Sequence, residues 1–433
     1  MLRGGKIIYK VIEFQNGLRI ITEEMPFMKS IAIVFGVRFG SRYEEKKHQG
    51  ISHLIEHMLF KGTVKRKNTL EISRIIEGIG GEINASTSLE TTFLYVKVPK
   101  KQFKIAFDVL SDIILNSLIR EGDLNKEKKI IIEEIKKYLD IPEELVEIQL
   151  NKLMWKNHPL GRCILGDEQS INRIQKEDLL TYVNEFYRPN NLVISIAGNI
   201  KFEEVISQVK KYFEKINQGV TKKYLPVKQN QKTPQIKIKY KKTNQTHLSF
   251  GFPGISRLHP DKYSLDLLDI ILGSGLSSRL FQEIRVKRSL AYDIHSSIQY
   301  FNDAGSFNIY AGIDSNRLNE TIEVILQELV RIKNNNNLKE KELRKAKEMY
   351  KGALSLSLES TLNRAFWHGN KLLLYGKPLT FDEVKNKIEE VKIEDIQKVA
   401  HNIFVKDKTN LSIVGAHKEK DKDKYNSLLQ ELD

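Results

Sequence analysis

Glu177-Asp-Leu-Leu-Thr-Tyr-Val-Asn-Glu-Phe-Tyr187, with Ile194-Ser-Ile-Ala-Gly198 shortly after it, returns 217 positions later without a gap. Glu177-Asp-Leu matches Glu394-Asp-Ile, Phe186-Tyr187 matches Ile403-Phe404, and Ile194-Ser-Ile-Ala-Gly198 matches Leu411-Ser-Ile-Val-Gly415. Each copy reads as a helix leading into a buried strand that stops at Gly. Between the copies, Asn217 to Gln235 is rich in Lys, Gln, Thr and Pro and reads as a linker. The chain is therefore expected to be a duplicated module: residues 1–216, a linker at 217–235, and residues 236–433.

Within each half, strands come first and helices follow. Tyr9 to Thr22 reads as two strands about the hairpin signal Gln15-Asn-Gly17. Ser30 to Arg38 is an apolar strand, Gly80 to Ser88 a Gly-led extended segment, and Thr91 to Val98 its partner. Helical patterns fill Lys101 to Leu118, Gly122 to Leu139 and Glu143 to Trp155. The second half opens with strands at Ile236 to Tyr240 and Thr246 to Phe252. This order predicts an α+β fold of two homologous halves, each a mostly antiparallel sheet with helices packed on one face.

The halves differ chemically. In Gly50-Ile-Ser-His-Leu-Ile-Glu-His-Met-Leu-Phe60, Ile51, Leu54, Ile55, Met58 and Leu59 form one apolar helix face. The opposite face carries His53, Glu56 and His57, where an ordinary amphipathic helix would carry Lys, Asp or Ser. Two His at i and i+4 can reach one metal ion, and a Glu beside them can take a proton from a water that the metal activates. The order His-x-x-Glu-His is the inverse of the commoner zinc peptidase order. A chance helix surface is the competing reading. Gly62 is placed to close this helix, and Asn68 or Thr69 to cap the next, which runs to Gly78. The comparable helix of the second half, Tyr263 to Leu272, holds no histidine.

Composition bounds the partners. At 433 residues, 40% hydrophobic and 29% charged, the chain has room for sizeable cores, and no run of 18 apolar residues suggests a membrane span. The basic start from Met1 lacks an apolar leader, which reads as a cytoplasmic protein. The single Cys163 excludes an intrachain disulfide and a thiolate zinc site, so any metal rests on His and carboxylates. The net charge of +15 is spread through helices that also carry Glu, as in Lys126-Glu-Lys-Lys129, and no nucleic-acid motif accompanies it. No nucleic acid and no membrane are expected as partners. Two histidines leave a catalytic zinc one protein ligand short. Glu127 and Glu134, seven apart, share a helix face, but spacing alone does not choose between a ligand and a surface partner for the neighbouring lysines.

Taken together, His53-x-x-Glu56-His57, followed after 76 residues by Glu134 with Glu127 seven before it, resembles the pitrilysin family, which includes insulin-degrading enzyme and the mitochondrial processing peptidases. The resemblance runs from about Phe14 to Gly415. It implies His53, His57 and Glu134 as Zn2+ ligands, Glu56 as general base and Glu127 as the carboxylate that orients a ligand histidine. Asn84, Ala85 and Ser86 resemble the substrate-binding edge strand, which takes an extended peptide by main-chain hydrogen bonds; some relatives carry an aromatic residue where Ser86 stands. Leu280 to Tyr292 resembles the motif whose Arg285 and Tyr292 hold the peptide carbonyl, although the residues alone read as a helix-surface charge and a strand-core ring.

A chain of this size resembles the two-subunit members. The implied activity is a zinc endopeptidase that cuts unstructured peptides inside a closed dimeric chamber, as a homodimer because both halves are present, or as a heterodimer with a distinct partner. The alternative is a non-catalytic peptide-binding or scaffold subunit, which would ordinarily have lost a ligand or the base.

Overall fold

In the computed structural model, residues 9–220, 222–334 and 337–432 are described, so the basic start as far as Ile8 lies outside them. The first sheet contains β1 (Tyr9–Glu13), β2 (Arg19–Glu24), β3 (Ser30–Val37), β4 (Glu82–Thr87), β5 (Thr92–Pro99) and β6 (Leu192–Gly198), in the order β1-β2-β6-β3-β5-β4. The second contains β7 (Gln235–Tyr240), β8 (Gln245–Gly254), β9 (Ala291–Tyr300), β10 (Gly305–Asp314) and β11 (Asn410–Gly415), in the order β7-β11-β8-β10-β9. With β1 set aside, the two orders coincide strand for strand. In each sheet one pairing is parallel, β2 with β6 and β7 with β11, and the others are antiparallel.

The repeated strands β6 and β11 sit inside their sheets, and their terminal glycines are steric requirements. A side chain at Gly198 would stand 2.4 Å from the Ser30 carbonyl oxygen, and one at Gly415 would stand 2.5 Å from Thr246 Oγ1. Only Gly lets the neighbouring strand pass that closely.

The first five α-helices are α1 (Ile51–Leu59), α2 (Thr69–Gly78), α3 (Phe103–Asn116), α4 (Glu121–Asp140) and α5 (Pro142–Met154). Asn68, not Thr69, caps α2, with its side chain accepting the Glu71 N–H. The expected cap at Gly62 is displaced: α1 ends with Phe60 as its cap, and Gly62 belongs to the loop that follows, where its carbonyl accepts the Leu118 N–H.

The compact units are discontinuous, unlike the contiguous halves read from the sequence. The first comprises the chain through Ile135, 163–225 and 356–379; the second comprises 136–162, 226–355 and 380–433. The helix Thr361–Tyr375, from the second half of the sequence, packs on β2, β3 and β6, while α5, from the first half, packs on β7, β8 and β11. Each sheet is thus covered on both faces, by helices of its own half on one and by a helix of the other half on the second.

The alternating side chains of β3 explain this. Phe35 meets Phe107 and Phe213 on one face, whereas Ala32 and Val34 join Ala365, Leu372 and Leu373 on the other. A strand apolar on both faces needs two covers. A buried ion cluster adds register: Glu23 of β2 bonds Arg364 and, at 2.8 Å, His368 Nε2, one turn apart on the exchanged helix.

Candidate metal centre

The site begins with how α1 is held. Its N-cap, Gly50, has φ +92° and no side chain to offer, so the cap comes from outside the helix: Glu44, 4% exposed, accepts the N–H groups of Gly50 at 2.8 Å and Ser52 at 2.9 Å and the Ser52 hydroxyl. The far end is held by Ser117 Oγ, which bonds the carbonyls of Met58 and Leu59. The apolar residues Ile51, Leu54, Ile55, Met58 and Leu59 are buried, leaving His53, Glu56 and His57 on the partly open face.

His53 and His57 lie with ring centroids 4.6 Å apart. Helix α4 runs beside them, and candidate ligand atoms of His53, His57 and Glu134 all fall within 4.8 Å of one another. His53 Nε2 and Glu134 Oε2 are 4.0 Å apart. Seven residues earlier on α4, Glu127 Oε2 meets His57 Nδ1 at 2.9 Å, which leaves His57 Nε2 for the shared space. Lys61 Nζ takes the other oxygen, Oε1, at 2.7 Å. Burial pushes the Glu127 carboxyl up, but hydrogen bonds from His57 and Lys61 outweigh it and hold the group below the usual carboxylate range.

Electrostatics favour a cation at this point. Burial, with His57 adding to it, lowers the His53 imidazole to about 4, so that ring offers a lone pair at neutral pH. Glu56 is shifted the other way by burial, with Glu134 raising it further against hydrogen bonds from Thr87 and the charge of His57. Among the described residues its Oε2 is buried with no hydrogen-bond partner, which leaves this oxygen free to accept a proton. Two imidazoles and one carboxylate with candidate ligand atoms within 4.8 Å of one another, and the Glu56 acid on the same helix as the histidines, fit a His2Glu zinc site with one position open. Sequence reasoning missed Glu44, Lys61 and Thr87: Glu44 and Thr87 lie on other segments, and Lys61, four residues after His57, stands past the end of the helix.

Among the described residues, strand β4 is the free edge of the first sheet, paired only with β5. Asn84 and Ser86 are exposed, while Ile83, Ala85 and Thr87 alternate inward on the side that meets α1. Asn84 Oδ1 accepts the Ala85 N–H at 2.8 Å. Arg285 and Tyr292 belong to the second unit, where they come together: the Arg285 guanidinium lies 5.2 Å from the Tyr292 ring and 5.0 Å from that of Phe281. Tyr292 is 75% exposed at the head of β9, so it is not the strand-core ring that its position alone suggested.

Residues 19–168 match the profile of Insulinase (Peptidase family M16), and residues 173–350 match that of the Peptidase M16 inactive domain. A Bacillus subtilis protein named "Uncharacterized zinc protease YmxG" is 38% identical over 91% of this chain and 95% of its own length. A Rickettsia felis "Uncharacterized zinc protease" is 33% identical over 92% and 95%. In fold, the crystal structure of a protease from Helicobacter pylori superposes with a TM-score of 0.87 over 94% of this chain and 99% of that one, at 22% identity. Among the described residues, no helix is long and apolar enough to cross a membrane.

Proposed function

Because the chain belongs to the M16 peptidase family, we propose that it is a zinc-dependent endopeptidase of unstructured peptides, with its reaction centre on α1 and α4. The observation that carries this reading is the convergence of His53, His57 and Glu134 within 4.8 Å, with the unpaired Glu56 Oε2 beside them. These three side chains would hold the metal. A bound Zn2+ supplies Lewis acidity, toward water and toward a peptide carbonyl.

The rest falls to the chain's own groups. Glu56, raised by burial, accepts a proton from the attacking water and returns it to the leaving amine. Glu127 holds the His57 ring through Nδ1. The β4 edge takes the peptide as an added strand, reading main chain in preference to side chains. For the backbone N–H of Ala85 to join that ladder, the Asn84 side chain must swing away.

Arg285 and Tyr292 present a cation and a hydroxyl suited to a developing oxyanion. The simplest assembly is a homodimer in which this pair from one subunit completes the metal centre of the other, enclosing a chamber that admits flexible peptides. A non-catalytic scaffold role is disfavoured by the intact ligand and base set.

The test is Glu56→Gln on the purified chain with a pool of unstructured peptides read by mass spectrometry. The expected result is zinc retained and cleavage reduced about 10²- to 10⁴-fold, the usual weight of a general base. Parent-like cleavage by the variant would overturn the assignment.

A further inference from the structure

We propose that Lys61 is a positioning residue of the metal centre, acting through Glu127; the inference rests on the zinc reading above. Glu127 is 4% exposed, and its two oxygens are divided between two partners on the α1 side: Oε2 with His57 Nδ1 at 2.9 Å and Oε1 with Lys61 Nζ at 2.7 Å. The first bond holds the proton on Nδ1 and turns Nε2 toward the ligand site. The second fixes the carboxylate plane from which that bond is made.

Lys61 is built for this position. It follows His53 and His57 at the same four-residue interval, but it stands beyond the last residue of α1. There the backbone is pinned. The Lys61 N–H donates to the Met58 carbonyl at 3.1 Å, its own carbonyl accepts from Arg120 at 3.4 Å, and the next carbonyl, of Gly62, accepts the Leu118 N–H at 2.9 Å. From this anchored base the ammonium reaches across to α4, and its side chain is only 25% exposed. One buried carboxylate therefore ties α4, which also carries Glu134, to α1 at His57 and to the turn after it at Lys61. Without the ammonium, Glu127 is a buried anion short of its cation and free to rotate off His57.

The experiment measures zinc affinity of the full apo chain by competition with a chromophoric chelator, with no peptide present. Lys61→Met is expected to bind zinc about 10-fold more weakly, the lower end of what loss of a supporting group costs a metal site, and Lys61→Arg to recover most of that loss. Placed in a Glu127→Gln background, Lys61→Met should add nothing further. Lys61→Gln serves as the second variant if Lys61→Met does not fold, as judged by circular dichroism.

Parent-like affinity in a folded Lys61→Met or Lys61→Gln overturns the proposal, and so does an equal loss in the Glu127→Gln background. A parent chain that takes up no zinc overturns the zinc reading, and the proposal with it.

Discussion

Glu44 caps a helix to which it does not belong: its Oε1 accepts the Ser52 N–H at 2.9 Å, immediately before His53. Helix starts are ordinarily capped by their own N-cap side chain, and Gly50 has none. Glu44→Ala should cost about 2 kcal/mol, since a buried charged acceptor and three hydrogen bonds are lost at once. Urea unfolding checks this, and a loss below about 0.5 kcal/mol would assign the cap to another group.

Metal removal gives a direct check on the centre. Cleavage of unstructured peptides should stop on chelation and return with added zinc. A protein that still cuts after its metal content has been shown to fall to zero has another catalytic device.

The division of labour between the two units leads to a complementation test. Glu56→Gln keeps Arg285 and Tyr292, while Arg285→Ala keeps the metal centre. In a homodimer with shared sites, mixing the two inactive variants should restore about a quarter of parent activity, from the one intact site in each mixed dimer. No recovery after subunit exchange has been demonstrated by mass would sink the shared-site arrangement.

Asp269, on the second unit's helix Lys262–Leu272, is pushed up to about 6 by burial, with Asp266 adding to the rise against the Ser296 hydroxyl bond. Its folded pKa exceeds the ordinary aspartate value, so between about pH 4 and 6 the native state binds more protons than the unfolded chain and stability falls as pH rises. Asp269→Asn should stabilise at neutral pH by up to about 3 kcal/mol and flatten that slope, because the amide still accepts from Ser296. Thermal melts at pH 4.5 and 7, buffer values of about that order, distinguish the two proteins. Unchanged slopes would place the acid elsewhere.

The exchanged helix rests partly on Glu23. Breaking its buried contacts to Arg364 and His368 by Glu23→Ala should cost about 3–5 kcal/mol, as uncompensated buried charge does. Denaturation followed by a probe in the first unit reads the loss. If stability were unchanged, the apolar contacts of Ala32 and Val34 alone would hold the helix.

Much of the candidate centre was legible in the chain because helical geometry is local. Two histidines four apart share a face wherever the helix sits, so His53, Glu56 and His57 stood out by spacing, as did the pairing of Glu127 with Glu134. The duplicated strand ending in Gly was legible too, since close strand approach leaves no room for a side chain at Gly198 or Gly415. Which glutamate faces which histidine was not, because α4 reaches α1 only through tertiary packing.

The same limit hid Glu44 and Lys61, whose partners lie across a turn or on another helix. It also hid the exchange of α5 and Thr361–Tyr375: an amphipathic helix declares that it will bury a face, but not against which sheet. The sequence by itself determined the strand and helix segments of the two halves and the spacing of His53, Glu56 and His57, both set by patterns within a few residues. Only the tertiary structure decided the helix exchange and the partners around the centre, because those depend on which distant apolar and charged surfaces meet.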